Sequence, residues 1–321
     1  MKLSELRALA ENMPCPEDPI RQKTYLEELL GRGIDFGQLY QELEMESRYV
    51  DTHRDVSWNN SGVQLHSHSF YEMIYCRSAC QVEYLVGSQR YRLQQGDIVV
   101  VPPGVSHCPM LPEKLTEPYR RYVLWISPEF IETMTDMFSY EDDRLKMHTN
   151  LIRTAGTSWE FLGEMFRRGV REREKAIAGW EAAVAANTLQ LLVQIQRALT
   201  DSRVKPLQAE KPDLLDRVMG YVESNLGSRI TLAETARQFY VSESTVSQLF
   251  RKKMGVSFHQ CVTQRRLIAA KLMIGENIPM EEVCAKVGFS DYSSFYRAFR
   301  QEYGVSPRQY RKLQQHQNTD P

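Results

Sequence analysis

The sequence predicts an α+β chain of several domains: a small N-terminal β-barrel with flanking helices, then an all-α domain that uses one two-helix unit twice. Three observations carry this. An internal repeat lies near the C-terminus, short β-branched and aromatic runs broken by turn residues fill the N-terminal half, and a helical apolar stripe lies between them. At 321 residues the chain has room for two domains of roughly 100 to 200 residues each. Its 42% hydrophobic and 25% charged content is ordinary globular usage and excludes collagen-like, disordered and disulfide-dense classes. No run approaches the ~18 to 20 apolar residues of a membrane span, and the start, MKLSELRALAENMPCPEDP, lacks the apolar core of a signal peptide. A cytoplasmic protein with no membrane partner is expected. Its six cysteines (Cys15, Cys76, Cys80, Cys108, Cys261, Cys284) form no tight metal-type pair and read as buried thiols.

The repeat has an offset of 49: Ala236, Phe250, Arg251, Gly255, Val256 and Ser257 recur as Ala285, Phe299, Arg300, Gly304, Val305 and Ser306. Each copy reads as two short helices, a tight turn and a glycine stop. Thr231 with Glu234 makes a capping box, and Ser242 opens a second helix with Val246, Leu249 and Phe250 on one face, ended by Gly255. In the second copy Val283 and Val287 line the first helix, Gly288 turns the chain, and Ser290 caps a helix with Phe295 and Phe299 inward. Two helix-turn-helix units result. Between them Ser257 caps a helix of about 17 residues running to Gly275, roughly 26 Å long. A strut of that length can set two readers about one DNA turn, ~34 Å, apart. Leu214, Val218, Val222 and Leu226 predict a helix before the block, and Ser306-Pro307 opens one after it.

Charge separates the two halves. Residues 206–321 hold 16 Lys+Arg against 12 Asp+Glu, +4, and residues 1–205 hold 24 against 29, −5, which recovers the net −1. Within 229–312 the count is 14 against 7, a +7 block that suits a polyanion.

Residues 213–313 resemble the two-unit DNA-binding domain of the AraC/XylS family of bacterial transcription regulators, above all in Gly288-Phe289-Ser290-Asp291-Tyr292-Ser293-Ser294-Phe295-Tyr296-Arg297-Ala298-Phe299-Arg300 and Tyr303-Gly304-Val305-Ser306-Pro307. The resemblance implies double-stranded DNA as partner, with the exposed face of each second helix in a major groove. That face offers Ser244, Thr245, Ser247 and Gln248 in the first unit and Tyr292, Ser293, Tyr296 and Arg297 in the second. Gln pairs adenine and Arg pairs guanine through two bonds, whereas Ser contacts are promiscuous. Arg251, Lys252 and Arg300, with Lys253, lie at helix C-terminal ends and suit phosphates.

In the N-terminal half, Val82–Val86, Tyr91–Leu93, Ile98–Val101 and Tyr122–Ile126 read as strands separated by Gly87-Ser88, Gln94 to Asp97 and Pro102-Pro103-Gly104. Their rhythm suggests a small antiparallel barrel or jelly roll. Two motifs, His66-x-His68-x3-Glu72 and Gly96-x5-Pro102-x-Gly104-x2-His107, resemble the cupin motifs that gather three imidazoles and a carboxylate around a metal; Leu111 departs from the frequent Asn. On a strand His66, His68 and Glu72 would share one face. Such a set suits Zn, Fe or Mn. Sensor domains of the family often keep the pattern without a metal, so the leading expectation is no cofactor, with a divalent metal on His66, His68, Glu72 and His107 as the alternative. A ligand pocket would use His66, His68, Glu72 and His107 with Tyr84 and Tyr122, while Tyr71 and Trp125 add aromatic faces. Family analogy implies a small-molecule effector, such as a carbohydrate.

Trp180, Ala183, Val184, Asn187, Leu191, Ile195 and Leu199 form a stripe that would pack on the barrel or on a second subunit. The chain thus divides into a helical arm (1–48, with helices Leu3 to Leu9 and Tyr25 to Leu30), a cupin-like sensor barrel (49–150), a helical dimerisation segment (151–200), a linker (201–212) and the double helix-turn-helix block (213–313). The resemblance implies a ligand-responsive, sequence-specific regulator, a homodimer and no enzyme, with RNA polymerase a partner if it activates. The alternatives are a metal-dependent cupin enzyme fused to DNA-binding helices, and a thiol sensor using Cys76, Cys80 and Cys108.

Overall fold

A computed structural model describes residues 45, 47–57, 65–79, 82–111, 115, 117–138, 150–204, 209–276 and 278–317. The helices expected at Leu3 to Leu9 and Tyr25 to Leu30, with Cys15 and Cys80, lie outside the described residues. Packing divides the described chain into two compact units, 45–221 with 236–257, and 222–235 with 258–317. The division falls inside the first helix-turn-helix unit.

The first unit opens with β1 (Val50–Ser57), β2 (Tyr71–Cys76), β3 (Val82–Val86), β4 (Gln89–Leu93), β5 (Asp97–Val101), β6 (His107–Met110) and β7 (Tyr119–Ile126). Helix α1 (Pro128–Met137), β8 (Asn150–Arg153), α2 (Leu162–Lys175) and α3 (Trp180–Thr200) follow. All strand pairs are antiparallel, in a five-stranded sheet of order β1-β7-β2-β5-β8 and a three-stranded sheet of order β4-β3-β6. The expected barrel is therefore not closed among the described residues. An isolated bridge between His66 and His107 lies outside the named strands. At the β4 edge the Glu210 N–H donates to the Arg90 carbonyl at 2.8 Å, so the segment after α3 occupies part of the edge that a further strand would pair with.

Register decides what each face of the large sheet carries, because directly opposed residues point the same way. Met73 opposes Leu124 and Tyr75 opposes Tyr122; this face packs on Phe130, Phe166, Val184, Leu191 and Ile195 of the three helices. The other face, with Ile74, Cys76, Val99 and Val101, packs on Tyr84, Tyr91 and Leu93 of the small sheet. Full burial of a Leu or Ile side chain is worth roughly 1.5 to 3 kcal/mol, and α3 spends its apolar stripe in this way. Of the two partners open to that stripe, the chain's own core of sheet and helices takes Val184, Leu191 and Ile195, and the buried Asn187 donates to the Met165 carbonyl of α2. Val204, in the expected linker, joins the same core.

One buried cation ties the small sheet to the next helix, α4 (Leu214–Ser224). Arg90 on β4, buried, donates to Glu83 at 2.9 Å, Asp213 at 2.6 Å and Asp216 at 3.1 Å.

Helix α5 (Leu232–Gln238) and α6 (Glu243–Met254) make the first helix-turn-helix unit; α7 (Phe258–Gly275) follows. The second unit is α8 (Met280–Lys286) and α9 (Tyr292–Tyr303), before α10 (Pro307–Gln317). The Thr231 hydroxyl accepts from the Glu234 N–H and donates to its carboxylate; at the start of α10 the Ser306 hydroxyl accepts from the Gln309 N–H while the Ser306 backbone N–H donates to the Gln309 Oε1. Leu267, Ala270, Ile274, Val283, Phe295 and Phe299 form one core. Arg265, on α7, is 1% exposed and pairs with Glu223. Leu272, on the same helix, is exposed.

Candidate functional site

Four donors converge beside the large sheet. His66 sits on the isolated bridge, His68 in the bend before β2, Glu72 on β2 and His107 at the start of β6. The expected single strand carrying His66, His68 and Glu72 is interrupted by that bend, yet one donor atom from each of the four residues lies within 4.8 Å of the others. An ion bonded at about 2.0 to 2.2 Å to each needs donors only a few ångströms apart, so the set can contract onto one.

Hydrogen bonds also select the right atoms. Nδ1 of His68 and of His107 lie 2.8 and 2.9 Å from the carbonyls of Phe70 and Val105. A carbonyl only accepts, so both Nδ1 atoms carry a proton, which in the neutral ring leaves Nε2 as the atom with a lone pair. Glu72 Oε2 is 2.8 Å from His107 Nε2 and 3.7 Å from His68 Nε2. None of these three buried atoms has a partner in hydrogen-bond geometry. Three orphaned acceptors aimed at one another are what a cation would satisfy. Burial pushes the His68 imidazole below its usual range, so its ring is neutral near pH 7. The residues present therefore fit a divalent ion of the Zn, Fe or Mn class.

Of the other expected pocket residues, Tyr84 is buried with its ring 6.3 Å from that of His107. Tyr122 does not belong to the site. It lies on the opposite face of the sheet, among the helices, stacked with Tyr75 and covered by the Arg77 guanidinium at 4.3 Å. One step of sequence decides this, because side chains alternate along β7 and Trp125, not Tyr122, shares the face of Glu72. Cys76 and Cys108 are buried thiols.

On α6, Ser244, Thr245, Gln248, Arg251 and Lys252 are exposed and Ser247 is half-buried; Val246 and Phe250 are buried. Ser242 caps the helix by accepting from the Thr245 N–H, and its hydroxyl lies 2.7 and 2.8 Å from those of Ser244 and Thr245. This hydroxyl cluster stands at the positive end of the helix, beside the exposed Glu243 carboxylate of its first turn. On α9, Ser293, Arg297 and Arg300 are exposed, and Tyr292 and Tyr296 are half-buried with rings 6.4 Å apart. Tyr292 leans on the core beside Phe295, whereas Arg297 is exposed. The expected cap moves by one residue: Asp291, not Ser290, accepts from the Ser294 N–H at 2.7 Å, and the Ser290 hydroxyl donates to Asp291. A carboxylate is the stronger acceptor at a helix start.

A family model described as "Helix-turn-helix domain" matches residues 235–313. The protein named "Probable transcriptional regulator LumQ" of Photobacterium leiognathi is 36% identical over 128 residues, 39% of this chain and 49% of that one. The HTH-type transcriptional activator RhaR of Yersinia pestis is 32% identical over 126 residues, 38% and 43% of the two chains. This block is an AraC-type helix-turn-helix domain. The "Uncharacterized HTH-type transcriptional regulator YfiF" of Bacillus subtilis extends the likeness beyond the AraC-type domain, at 26% over 261 residues, 79% and 81% of the two chains. The chain spans about half the length of LumQ and RhaR. No described helix is long and apolar enough to cross a membrane.

Three residues were missed by the sequence reading. In the turn of the first AraC-type unit Tyr240 is 96% exposed with φ +56°, a left-handed conformation unusual for a side-chain-bearing residue. The first helices of the two units are offset by 48 (280 − 232) rather than 49, which aligns Tyr240 with Gly288 and is a signal the sequence carried. The other two are Arg90 and Trp125, the latter read only as an aromatic face; their partners lie too far along the chain for spacing to reveal.

Proposed function

We propose that the chain is a ligand-responsive, DNA-binding transcription regulator in which residues 213–313 read DNA and residues 49–150, a cupin-like fold, sense a small molecule. The observation that carries the reading is the pair of second helices, α6 and α9, each with an apolar face buried and an exposed face of hydroxyl, amide or guanidinium groups. Arg297 reads a guanine edge; Arg251, Lys252 and Arg300 hold phosphates; Ser244, Thr245, Ser247 and Gln248 line the first groove. The carbohydrate expectation for the effector stays a proposal, as do cytoplasmic location, a homodimer and contact with RNA polymerase. In a dimer four such helices act together, and an effector shifts DNA occupancy only by its differential affinity for the two arrangements. Because α3 buries its main stripe within the chain, a dimer through 151–200 must use the opposite face of that helix.

Fluorescence anisotropy of the full chain on its own upstream DNA tests this. Affinity should fall steeply with salt, as counterions are released from phosphates. No binding at low salt would refute it.

A second reading concerns the barrel alone. The three orphaned atoms of His68, Glu72 and His107 favour a divalent metal on His66, His68, Glu72 and His107. When bound, the ion supplies a Lewis-acidic point to which an effector oxygen can attach; the chain's residues hold it through neutral imidazoles and one carboxylate. Elemental analysis of untagged protein should find about one equivalent per chain, and none would remove this reading while leaving the DNA-binding one.

A further inference from the structure

Glu72 is held at both ends. Its Oε2 faces the imidazoles, and its Oε1 accepts a hydrogen bond from the indole Nε1–H of Trp125 at 2.9 Å. A carboxylate can meet a metal through one oxygen or through both, and which it does sets how many donors the protein supplies. We propose that Trp125 is a positioning residue that commits Glu72 to a metal through a single oxygen, Oε2. The proposal rests on the metal reading above and goes further by assigning the denticity of one ligand to a residue outside the donor set.

An indole N–H is a donor only. It can occupy Oε1 but offers no lone pair to a cation, so it withholds that oxygen without becoming a ligand. The ring cannot easily swing away. Trp125 on β7 is directly opposed by Glu72 on β2 and by Asp51 on β1. The His53 ring meets it edge-on at 4.8 Å, and Phe70 tilts against it at 4.9 Å. Phe70 in turn lies flat on the His68 imidazole, 4.0 Å away with 4° between the planes, and its carbonyl takes the His68 Nδ1–H. One side chain therefore braces two donors, Glu72 by a hydrogen bond and His68 through Phe70. Packing alone would be served by phenylalanine; the N–H is the part that only a ligand-orienting role uses.

Cobalt(II), whose visible bands weaken as its coordination number rises, is the probe for the full chain. The Trp125→Phe variant keeps the aromatic packing and loses the donor. It should bind cobalt roughly 10- to 100-fold more weakly, the usual effect of losing an outer partner of a ligand. Its bands should also be weaker, because the second oxygen of Glu72 is released to the ion. Trp125→Gln, which restores an N–H without the ring, should recover part of the wild-type spectrum. X-ray absorption on the zinc-loaded wild-type chain needs no substitution and should count one carboxylate oxygen at bonding distance. A Trp125→Phe chain with wild-type spectrum and affinity, or two carboxylate oxygens in the wild type, overturns the role of Trp125 and leaves the metal reading standing. A wild-type chain that takes up no cobalt or zinc overturns both.

Discussion

The two helix-turn-helix units share a backbone plan and differ in the chemistry of their reading helices. The first opens α6 with three neutral hydroxyls, Ser242, Ser244 and Thr245, and turns through Tyr240 in the left-handed region. The second opens α9 with the Asp291 carboxylate and turns through Gly288 at φ +83°. Each start also carries a carboxylate, Glu243 in the first turn of α6 and Asp291 at the cap of α9, so neither favours an anion by charge alone. Duplication of a fold therefore did not duplicate its chemistry: α9 exposes a guanidinium, Arg297, where α6 exposes hydroxyls and the Gln248 amide.

The largest expected effect tests whether the two units are equal as folds. Phe250 and Phe299 are each fully buried, and Phe250→Ala and Phe299→Ala should each lower stability by roughly 3 to 5 kcal/mol in urea denaturation. A near-neutral result for either would mean that the units are not built alike. Next, Arg297→Ala should cost about 1 to 3 kcal/mol at one base pair, read by anisotropy across operator variants, whereas Lys252→Ala should weaken all variants alike. Uniform loss from Arg297→Ala would erase the division of labour.

The turns should respond with opposite signs. Tyr240→Gly relieves a left-handed side chain and should raise thermal stability by about 1 kcal/mol. Gly288→Ala should lower stability by more than about 1 kcal/mol, since an added Cβ would collide with the Leu226 carbonyl. If Tyr240→Gly also weakens DNA binding, the strained tyrosine serves recognition.

Acid should separate the caps by the smallest margin. Bonds from the Ser294 backbone, then from the Ser294 and Ser290 hydroxyls, hold the exposed Asp291 carboxyl below its ordinary 3.8. A depressed acid contributes its stability above the unfolded value and loses it as pH falls through the folded one. Circular dichroism below pH 3.8 should therefore show a destabilising contribution in the wild type that Asp291→Ser lacks; identical acid transitions would count against a carboxylate cap.

Local grammar was readable in advance. The Thr231 capping box, the Ser242 and Ser306 caps, the glycine stops at Gly255 and Gly304, and the Gly288 turn each join residues only a few positions apart. The same held for the inward faces of Phe250, Phe295 and Phe299 and for the four residues of the His–Glu set. The Asp291 cap was misplaced because Ser290 and Asp291 are both competent caps and only geometry ranks them.

The sequence alone thus determined the duplicated helical block, its basic face and the identity of four convergent donors, because periodicity, capping and motif spacing are short-range properties of a chain. Only the tertiary structure decided that the two sheets do not close into a barrel among the described residues, that Tyr122 turns to the helices while Trp125 turns to Glu72, and that the α3 stripe is buried in the core of its own chain. It alone also brought Arg90 to Asp213, 123 residues away, and Trp125 to Glu72, 53 residues away. The physical reason is common to all of them. Strand register and edge pairing join residues distant along the chain, and a shift of one residue reverses every side chain, so no local pattern can encode the outcome.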